Sequence, residues 1–232
     1  MRISIHQPQY IPWLPYFLKV ESSDLFVILD TVDFQKNGLQ NRNAIKTPQG
    51  LLWLTVPVSQ KLGTPINEVK IADDFWRDKH LKTLIQNYKK AAYFENYFPD
   101  MEKILSQKWE RLSDLNLEVI KRMMVWLGIE VPIVLSSTLD VHGSSSDLIL
   151  DICKAMKATT YVSGSGGKHY LVEDDFKNNS IALDYQASQE ISEYEQQFPK
   201  HPFVPHLSAL DILFNCGENW RKLVKNAAPQ IA

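Results

Sequence analysis

The first residues whose side chains could take part in a reaction are a histidine and its neighbours near the N terminus. His6 and Gln7 stand where an alternating apolar segment gives way to a proline-rich one. A histidine in such a place can act as a general base or donate a hydrogen bond to a developing oxyanion. Tyr10 and Trp13 offer flat aromatic faces suited to stacking on a sugar or a base. We predict that His6 is catalytic and that Gln7, Tyr10 and Trp13 bind substrate; the alternative is that these side chains only pack in the core.

Charged and amide side chains are concentrated between residues 30 and 46. Arg42 can hold a carboxylate or a phosphate through two parallel hydrogen bonds, and the two lysines of the segment offer point charges. Asp30 and Asp33 can orient an acceptor amine or hydroxyl, so we predict that both are catalytic. The predicted substrate-binding residues of this segment are Lys36, Asn41, Arg42, Asn43 and Lys46. The alternative is a solvated polar loop.

A glycine-rich segment follows a predicted strand near residue 163. Its glycines allow backbone N–H groups to approach an anion closely, which predicts a phosphate-binding loop. The segment is neither a Walker sequence nor G-x-G-x-x-G, so a flexible turn is the alternative. The predicted phosphate-binding residues are Ser163, Gly164, Ser165, Gly166, Gly167 and Lys168.

Short apolar segments alternate with helical patterns along the chain. Residues 3–5 alternate in polarity, and residues 25–29 form a continuous apolar run that is typical of a parallel strand buried on both faces. Further strands are predicted at residues 51–58, 132–135, 160–163 and 181–185. This order predicts an α/β fold with a mainly parallel sheet and flanking helices. Residues 76–127 are predicted to be a helical insertion or cover within a single domain of residues 1–232.

The three polar segments each follow a predicted strand. Ligands of parallel α/β sheets bind beyond the carboxyl ends of the strands. Residues 6–15, 30–48 and 164–170 are therefore predicted to meet at one edge of the sheet and to build one site.

Composition limits the kinds of partner. The 232-residue chain has a net charge of −2 and no long basic run, which gives no footprint for nucleic acid or an anionic membrane. Cys153 and Cys216 form no C-x-x-C motif. The chain opens on a strand pattern, and its longest apolar stretch, residues 131–139, is too short to cross a bilayer. We expect a cytoplasmic protein with a small-molecule substrate and no metal; the sequence leaves both the cofactor and the oligomeric state open.

Several motifs resemble those of the WbqC-like protein family. The segments that carry the resemblance span nearly the whole chain: His6-Gln7-Pro8-x-Tyr10-x-Pro12-Trp13, Ser23-Asp24-x-Phe26-Val27-x-Leu29-Asp30, Gln40-Asn41-Arg42-Asn43-x-Ile45-Lys46, Trp53-Leu54-Thr55-Val56-Pro57-Val58, Tyr161-x-Ser163-Gly164-x-Gly166-Gly167 and Leu207-Ser208-x-Leu210-Asp211-x-Leu213-Phe214. One departure is Pro15, since these proteins often have a glycine after the Pro-Trp pair. The family is associated with O-antigen and related surface-polysaccharide gene clusters. The resemblance therefore implies work on an activated sugar or on a group attached to one.

The resemblance and the predicted site together indicate a transferase. It would move an acyl or aminoacyl group onto an amino sugar or a nucleotide-linked sugar. The strand–loop–helix–strand start is also similar to the nucleotide-binding (HUP, Rossmann-like) fold of HIGH-type nucleotidyltransferases, although His6 stands alone where those enzymes use two histidines. A nucleotidyl or adenylyl transferase or ligase is therefore one alternative. A non-enzymatic protein that binds a sugar nucleotide is the other.

Overall fold

The computed structural model describes residues 1–187 and 189–225. In chain order the strands are β1 (Arg2–His6), β2 (Leu25–Ile28), β3 (Arg42–Thr47), β4 (Gly50–Thr55), β5 (Val58–Ser59), β6 (Lys70–Ile71), β7 (Ile133–Leu135), β8 (Thr160–Ser163), β9 (Ala182–Tyr185), β10 (Glu190–Ile191) and β11 (Val224–Lys225). The helices are α1 (Leu14–Glu21), α2 (Phe75–Tyr88), α3 (Phe94–Leu105), α4 (Leu112–Leu127), α5 (Ser145–Ala155), α6 (Glu173–Asn178) and α7 (Ala209–Cys216).

Five strands form the central sheet in the order β7-β2-β1-β8-β9, and every neighbouring pair is parallel. Seven helices accompany this sheet, so the predicted α/β, Rossmann-like fold is confirmed. The sheet is covered on both faces. Phe26 and Ile28 of β2 enter the larger core with α2, α3, α4 and α7, whereas Val27 and Leu29 enter a smaller core with α5 and α6. This division explains why the apolar run of β2 is continuous rather than alternating.

Residues 30–48, predicted to be a loop, contain a strand, β3. Strands β3 and β4 form an antiparallel hairpin outside the central sheet, with Arg42 opposite Thr55 and a tight turn at Gly50, whose φ is +98°. The predicted third strand is thus a strand, but it belongs to this hairpin. Hydrophobic periodicity missed β3 because its buried positions include polar residues, Asn43 and Lys46 among them.

Strand β1 lies at the point of the sheet where the order of the strands along the chain reverses. The chain passes from β1 through α1 to β2 on one side, and β8 later pairs with the other side of β1. A crevice opens at such a point, beyond the carboxyl ends of the two diverging strands, and is the usual ligand site of this architecture. His6 ends β1 and Ser163 ends β8, so the residues that follow them border the crevice.

Candidate functional site

A cavity of about 520 Å³ occupies the crevice beyond β1 and β8. Its walls come from the end of β1, the first half of α1, the loop after β8 and the long segment between β9 and α7. The lining side chains are mainly aromatic and aliphatic, with a few polar groups among them. They include His6, Trp13, Pro15, Tyr16, Lys19, Gly164, Ser165, Gly166, Gln186, Gln189, Glu190, Tyr194, Phe203, His206 and Ser208.

The loop between β1 and α1 is held in a strained conformation. Ile11 has a φ of +39°, which a β-branched residue adopts only at a cost on the order of 1–3 kcal/mol. The buried amide of Asn43 stabilises it, because its Nδ2 donates to the carbonyls of Ile11, at 2.9 Å, and of Tyr10, at 3.4 Å. Asn43, predicted to bind substrate, therefore shapes the first loop without lining the cavity.

Helix α1 starts at the cavity and brings a lysine to its wall. Pro15 lies in the first turn of the helix, where its missing N–H group costs nothing, and lines the cavity. One turn later Lys19 is only 5% exposed, and its Nζ donates to the carbonyl of Ile5 at 2.7 Å. It forms no ion pair with a carboxylate in the described part of the chain.

Burial without a counter-charge makes Lys19 chemically unusual. Desolvation disfavours its ammonium form and lowers the pKa of the amine from 10.5 to about 7. A large fraction of the side chain is therefore neutral near pH 7. Lys19 was not among the site residues predicted from the sequence. One signal was present, because Lys19 interrupts an otherwise apolar stretch of α1, between Leu18 and Val20.

His6 faces the same cavity. Its Nδ1 lies 3.1 Å from the carbonyl oxygen of Gln7, and because a carbonyl can only accept, Nδ1 carries the proton and Nε2 is an acceptor. Desolvation, and then the nearby charge of Lys19, lower the pKa of His6 to about 3. The histidine is therefore neutral at pH 7. This pKa does not match the general base expected from the sequence, and a protonated Nδ1 bonded to Gln7 does not match the expected oxyanion donor.

The lowered histidine pKa values predict that the protein loses stability in mild acid. His6 and the buried His80, whose pKa burial lowers to about 4, stay neutral in the folded state down to those values. The unfolded state, with histidine pKa values near 6.5, binds more protons below that pH, so the free energy of unfolding falls as the pH drops. The expected slope is about 1.4 kcal/mol per pH unit for each histidine.

Urea unfolding of the wild-type protein and of His6→Gln across this acid range measures the effect. The variant should show a shallower decline below pH 6.5 than the wild type. His142→Gln, which alters a histidine that is 84% exposed, is the control and should follow the wild-type curve. Identical pH dependence in His6→Gln and the wild type contradicts the prediction.

The glycine-rich loop after β8 forms the opposite wall. Gly164, Ser165 and Gly166 line the cavity, and a Cβ atom built on either glycine would meet no atom within 4 Å, so a ligand can approach this backbone. Gly167 serves packing instead, because a Cβ there would collide with Ser163. Lys168, predicted to bind phosphate, is exposed, and its Nζ lies 5.1 Å above the Tyr185 ring, away from the cavity.

The segment between β9 and α7 covers the cavity and had no role in the predicted site. His206 meets Trp13 edge to face at 5.6 Å between ring centroids, and Trp13 forms an isolated bridge with Ser208. Ser208 also caps α7, accepting from the Leu210 amide at 3.2 Å. The aromatic wall of the cavity consists of Trp13, Tyr16, Tyr194, Phe203 and His206.

A family comparison agrees with these motifs, since the WbqC-like protein family model matches residues 7–222. This chain belongs to the WbqC-like protein family. The chain is also similar to "Uncharacterized protein Rv1507c" of Mycobacterium tuberculosis (strain ATCC 25618 / H37Rv), with 33% identity over 219 residues that cover 93% of this chain and 94% of the relative. No solved structure matches the chain significantly. The resemblance found in the sequence is thereby confirmed.

Asp30 of this WbqC-like protein binds its own chain rather than facing the cavity. The carboxylate accepts hydrogen bonds from Ser136 Oγ at 2.8 Å and from both the amide and the hydroxyl of Ser137, at 2.9 and 2.7 Å. It thus joins the carboxyl end of β2 to the turn after β7. Asp30 is 4% exposed, and its acceptors are occupied by these serines, which leaves it a structural role. Asp33 is exposed and also lies outside the cavity lining.

The remaining predicted residues between 36 and 46 also lie outside the cavity. Lys36 is exposed, and Asn41 donates to the carbonyl of Val56 at 2.9 Å to hold the hairpin. Arg42 stacks on Trp53 with its guanidinium carbon 4.6 Å from the ring centroid. Lys46 is 1% exposed in the core. The segment thus contacts the first loop through Gln40 and Asn43, but none of its residues lines the cavity, because β3 and β4 form a hairpin outside the central sheet.

Two residues of the first loop also point away from the cavity. Tyr10 is fully buried, and its hydroxyl lies 2.9 Å from Nδ1 of His80, so its ring is not available for stacking on a ligand. The side chain of Gln7 accepts from Gln40 at 2.7 Å and ties the loop to the segment after β2. Of the predicted site residues, the cavity thus brings together His6, Trp13, Gly164, Ser165 and Gly166.

The described residues contain neither a metal-binding cluster nor a helix suited to cross a membrane. No group of three or more histidine, cysteine, aspartate or glutamate side chains is placed to hold a metal ion. None of the described helices combines the length and the apolar character that crossing a membrane requires.

Proposed function

We propose that this WbqC-like protein is a transferase that moves an acyl or aminoacyl group onto an amino sugar or a nucleotide-linked sugar, in the biosynthesis of O-antigen or a related surface polysaccharide. The proposal rests on Lys19, an amine that is about half neutral at pH 7 and can then accept a proton, beside the neutral His6 in one cavity. An acceptor amine attacks an acyl donor only after it loses a proton. A base with a pKa near the working pH is the group that this step needs.

The roles follow from the placement of each group. Lys19 takes the proton that leaves the acceptor nitrogen as the new C–N bond forms, and Nε2 of His6 accepts a hydrogen bond from that nitrogen to orient its attack. When the tetrahedral intermediate collapses, the bond between the acyl carbon and the donor breaks, and the protonated Lys19 returns the proton to the departing donor group. The backbone of Gly164 to Gly166 supplies N–H groups for the oxyanion of the tetrahedral intermediate or for a phosphate of the donor. Trp13 stacks on the sugar or the base. We place the reaction in the cytoplasm, with a small molecule as partner.

The charge of the cavity favours acyl transfer over nucleotidyl transfer. Phosphoryl and nucleotidyl transfer develop charge on several phosphate oxygens, which enzymes offset with clusters of cations. Among the lining residues that the structure describes, Lys19 is the one lysine or arginine. Acyl transfer develops a single oxyanion, for which a few hydrogen-bond donors suffice.

A thermal-shift panel of nucleotides, nucleotide-linked amino sugars and acyl or aminoacyl donors identifies the ligands. A ligand at 100 times its Kd stabilises the fold by about 2.7 kcal/mol, which is a shift of several degrees. Pairs of hits are then incubated together, and the transferred group is measured by mass spectrometry. We expect His6→Ala to lower turnover by about 100-fold, since positioning and hydrogen bonding to the reacting group are lost.

Matched variants separate the proposal from its alternatives. Lys36→Ala changes an exposed lysine outside the cavity and should keep full turnover. Release of pyrophosphate from ATP or CTP, dependent on His6, supports a nucleotidyl transferase instead. Ligand binding that needs Trp13, without turnover and without an effect of His6→Ala, supports a binding protein. Full turnover in His6→Ala overturns the proposed transfer site.

A further inference from the structure

Lys19 has the setting of a reactive amine as well as that of a base. Only 5% of the surface of Lys19 is exposed to solvent, yet the residue lines a cavity large enough for a sugar-sized molecule. An unpaired buried ammonium is costly, and a desolvated lysine that lines a cavity is for that reason a candidate functional group.

The contacts of Lys19 leave the amine able to react. Among the described residues its Nζ donates to the Ile5 carbonyl, and the Tyr161 ring centroid lies 5.9 Å from Nζ. No carboxylate in the described residues pairs with it, so no ionic partner stabilises the protonated form, which has no free lone pair. Desolvated lysines of this kind form Schiff bases with carbonyl compounds.

We propose that Lys19 forms an imine with a small polyhydroxy aldehyde or ketone, such as the open-chain form of a sugar, bound in the cavity between α1 and the loop after β8. This reactivity goes beyond the proposed transfer reaction and does not depend on it. The aromatic wall packs on the carbon chain of the ligand, and the exposed backbone of Gly164 and Gly166 binds its oxygens.

The reaction balances without an added oxidant or reductant. The lone pair of Nζ attacks the carbonyl carbon, a C–N bond forms, and the carbonyl electrons move to oxygen. The nitrogen loses a proton and the oxygen gains one, which gives a carbinolamine. The hydroxyl group then leaves with a second proton as water, and the C=N bond forms. Nε2 of the neutral His6, in the same cavity, accepts a hydrogen bond from the carbinolamine.

Reductive trapping tests the proposal. The full chain is incubated at pH 7 with glyceraldehyde and sodium cyanoborohydride, which reduces an imine to a stable secondary amine, and the adducts are mapped by peptide mass spectrometry. With its pKa lowered to about 7, Lys19 has a neutral fraction about a thousandfold larger than that of an ordinary lysine. Allowing for its restricted access, we expect labelling at least about tenfold faster at Lys19 than at exposed lysines.

The pH dependence gives a second measurement. Labelling of Lys19 should rise through a midpoint near pH 7, whereas labelling of exposed lysines should keep rising well above it. The titratable side chains that line the cavity with Lys19 are His6 on β1, Tyr16 on α1, and Glu190, Tyr194 and His206 on the covering segment. The buried Tyr161 of β8 also lies near the amine, with its ring centroid 5.9 Å from Nζ.

Two variants complete the experiment. Lys19→Met should lose the fast adduct, and Lys103→Met, which removes an exposed lysine of α3, should keep it. Adducts spread over Met1 and the exposed lysines, with Lys19 of the wild type unmodified, overturn the proposal. Mapping of the wild-type protein decides this even where a variant does not fold. An acyl transfer assay that fails while Lys19 is labelled rejects the proposed function alone.

Discussion

Replacing Lys19 by methionine is expected to stabilise the fold and to abolish transfer. The pKa of Lys19 lies near 7 in the folded state and at 10.5 unperturbed, so at pH 7 burial of this group costs several kcal/mol. Methionine has a similar length and no charge, and it removes that cost. It also removes the hydrogen bond to the Ile5 carbonyl, worth about 1 kcal/mol.

The net gain should be on the order of 3 kcal/mol at pH 7, or about 5–10 °C in Tm for a chain of this size. Turnover in the proposed reaction should fall below detection, since the proton acceptor is gone. Stability and activity change in opposite directions, which is typical of a residue kept for function at the expense of stability. A decrease in Tm would show that Lys19 contributes to the fold as a well-accommodated cation.

The sign of the pH dependence provides an independent check on Lys19. Between pH 7 and 10.5 the unfolded lysine is protonated while the folded one is neutral, so the unfolded state binds more protons. The free energy of unfolding of the wild type should therefore rise with pH in this window. Denaturant titrations between about pH 7 and 8 avoid the tyrosines and the two cysteines, whose folded-state pKa values are also raised, and should show this rise in the wild type and its loss in Lys19→Met.

Replacing Asp211 by alanine is expected to lower the free energy of unfolding more than any of the other substitutions proposed above or below. The fully buried carboxylate of Asp211, in α7, accepts from Tyr88 at 2.6 Å, from Tyr194 at 2.7 Å and from Gln196 at 3.0 Å. Burial raises its pKa, which these three donors and the charge of Lys46 counteract. Alanine leaves the three donors without their acceptor and removes the carboxylate whose charge interacts with that of the buried Lys46.

The cost should be about 3–5 kcal/mol, because a buried charge and several polar groups lose their partner at once. The cavity should be affected too. Tyr194 lines it directly, and Gln196 exchanges two hydrogen bonds with Val204, which also lines it. Asp211 is therefore a positioning residue for the covering segment, and it does not itself touch the ligand.

Two tyrosine variants separate stability from cavity shape. Tyr88→Phe removes the donor on the side away from the cavity and also the acceptor of the Lys46 amide, so it should cost about 2–3 kcal/mol without altering ligand affinity. Tyr194→Phe removes the donor in the cavity wall and should weaken binding of the ligands found by thermal shift. Chemical unfolding and ligand titration of all three variants measure the two effects. Equal ligand affinity in Tyr194→Phe and the wild type contradicts the positioning role.

Local patterns predicted the central elements well. The continuous apolar run before Asp30 required a strand buried on both faces, and β2 supplies residues to both cores. His6 ends β1 and the glycine-rich loop follows β8, and the two meet because β1 and β8 are parallel neighbours. Both predictions rest on interactions between residues close in sequence or on a general rule of sheet topology.

The polar segment after β2 shows where such reasoning stops. Its amides and charges looked like binding groups, yet Asn43 holds the strained Ile11 and Asn41 holds the hairpin. The sequence shows that a polar side chain is present, but it does not show which groups of the folded chain form hydrogen bonds with that side chain. Asp30 and its serine partners are 106 and 107 residues apart, and no local pattern reports a pairing at that distance.

The histidine at the end of β1 was evident from the sequence, and so were its strand, the glycine loop and the family. Only the tertiary structure decided what that histidine can do. Burial beside Lys19 makes His6 neutral, and a contact with Gln7 sets its acceptor nitrogen. Lys19 itself is ordinary in sequence and becomes a base through desolvation. A pKa depends on everything that surrounds a group in three dimensions, whereas the sequence displays only its neighbours along the chain.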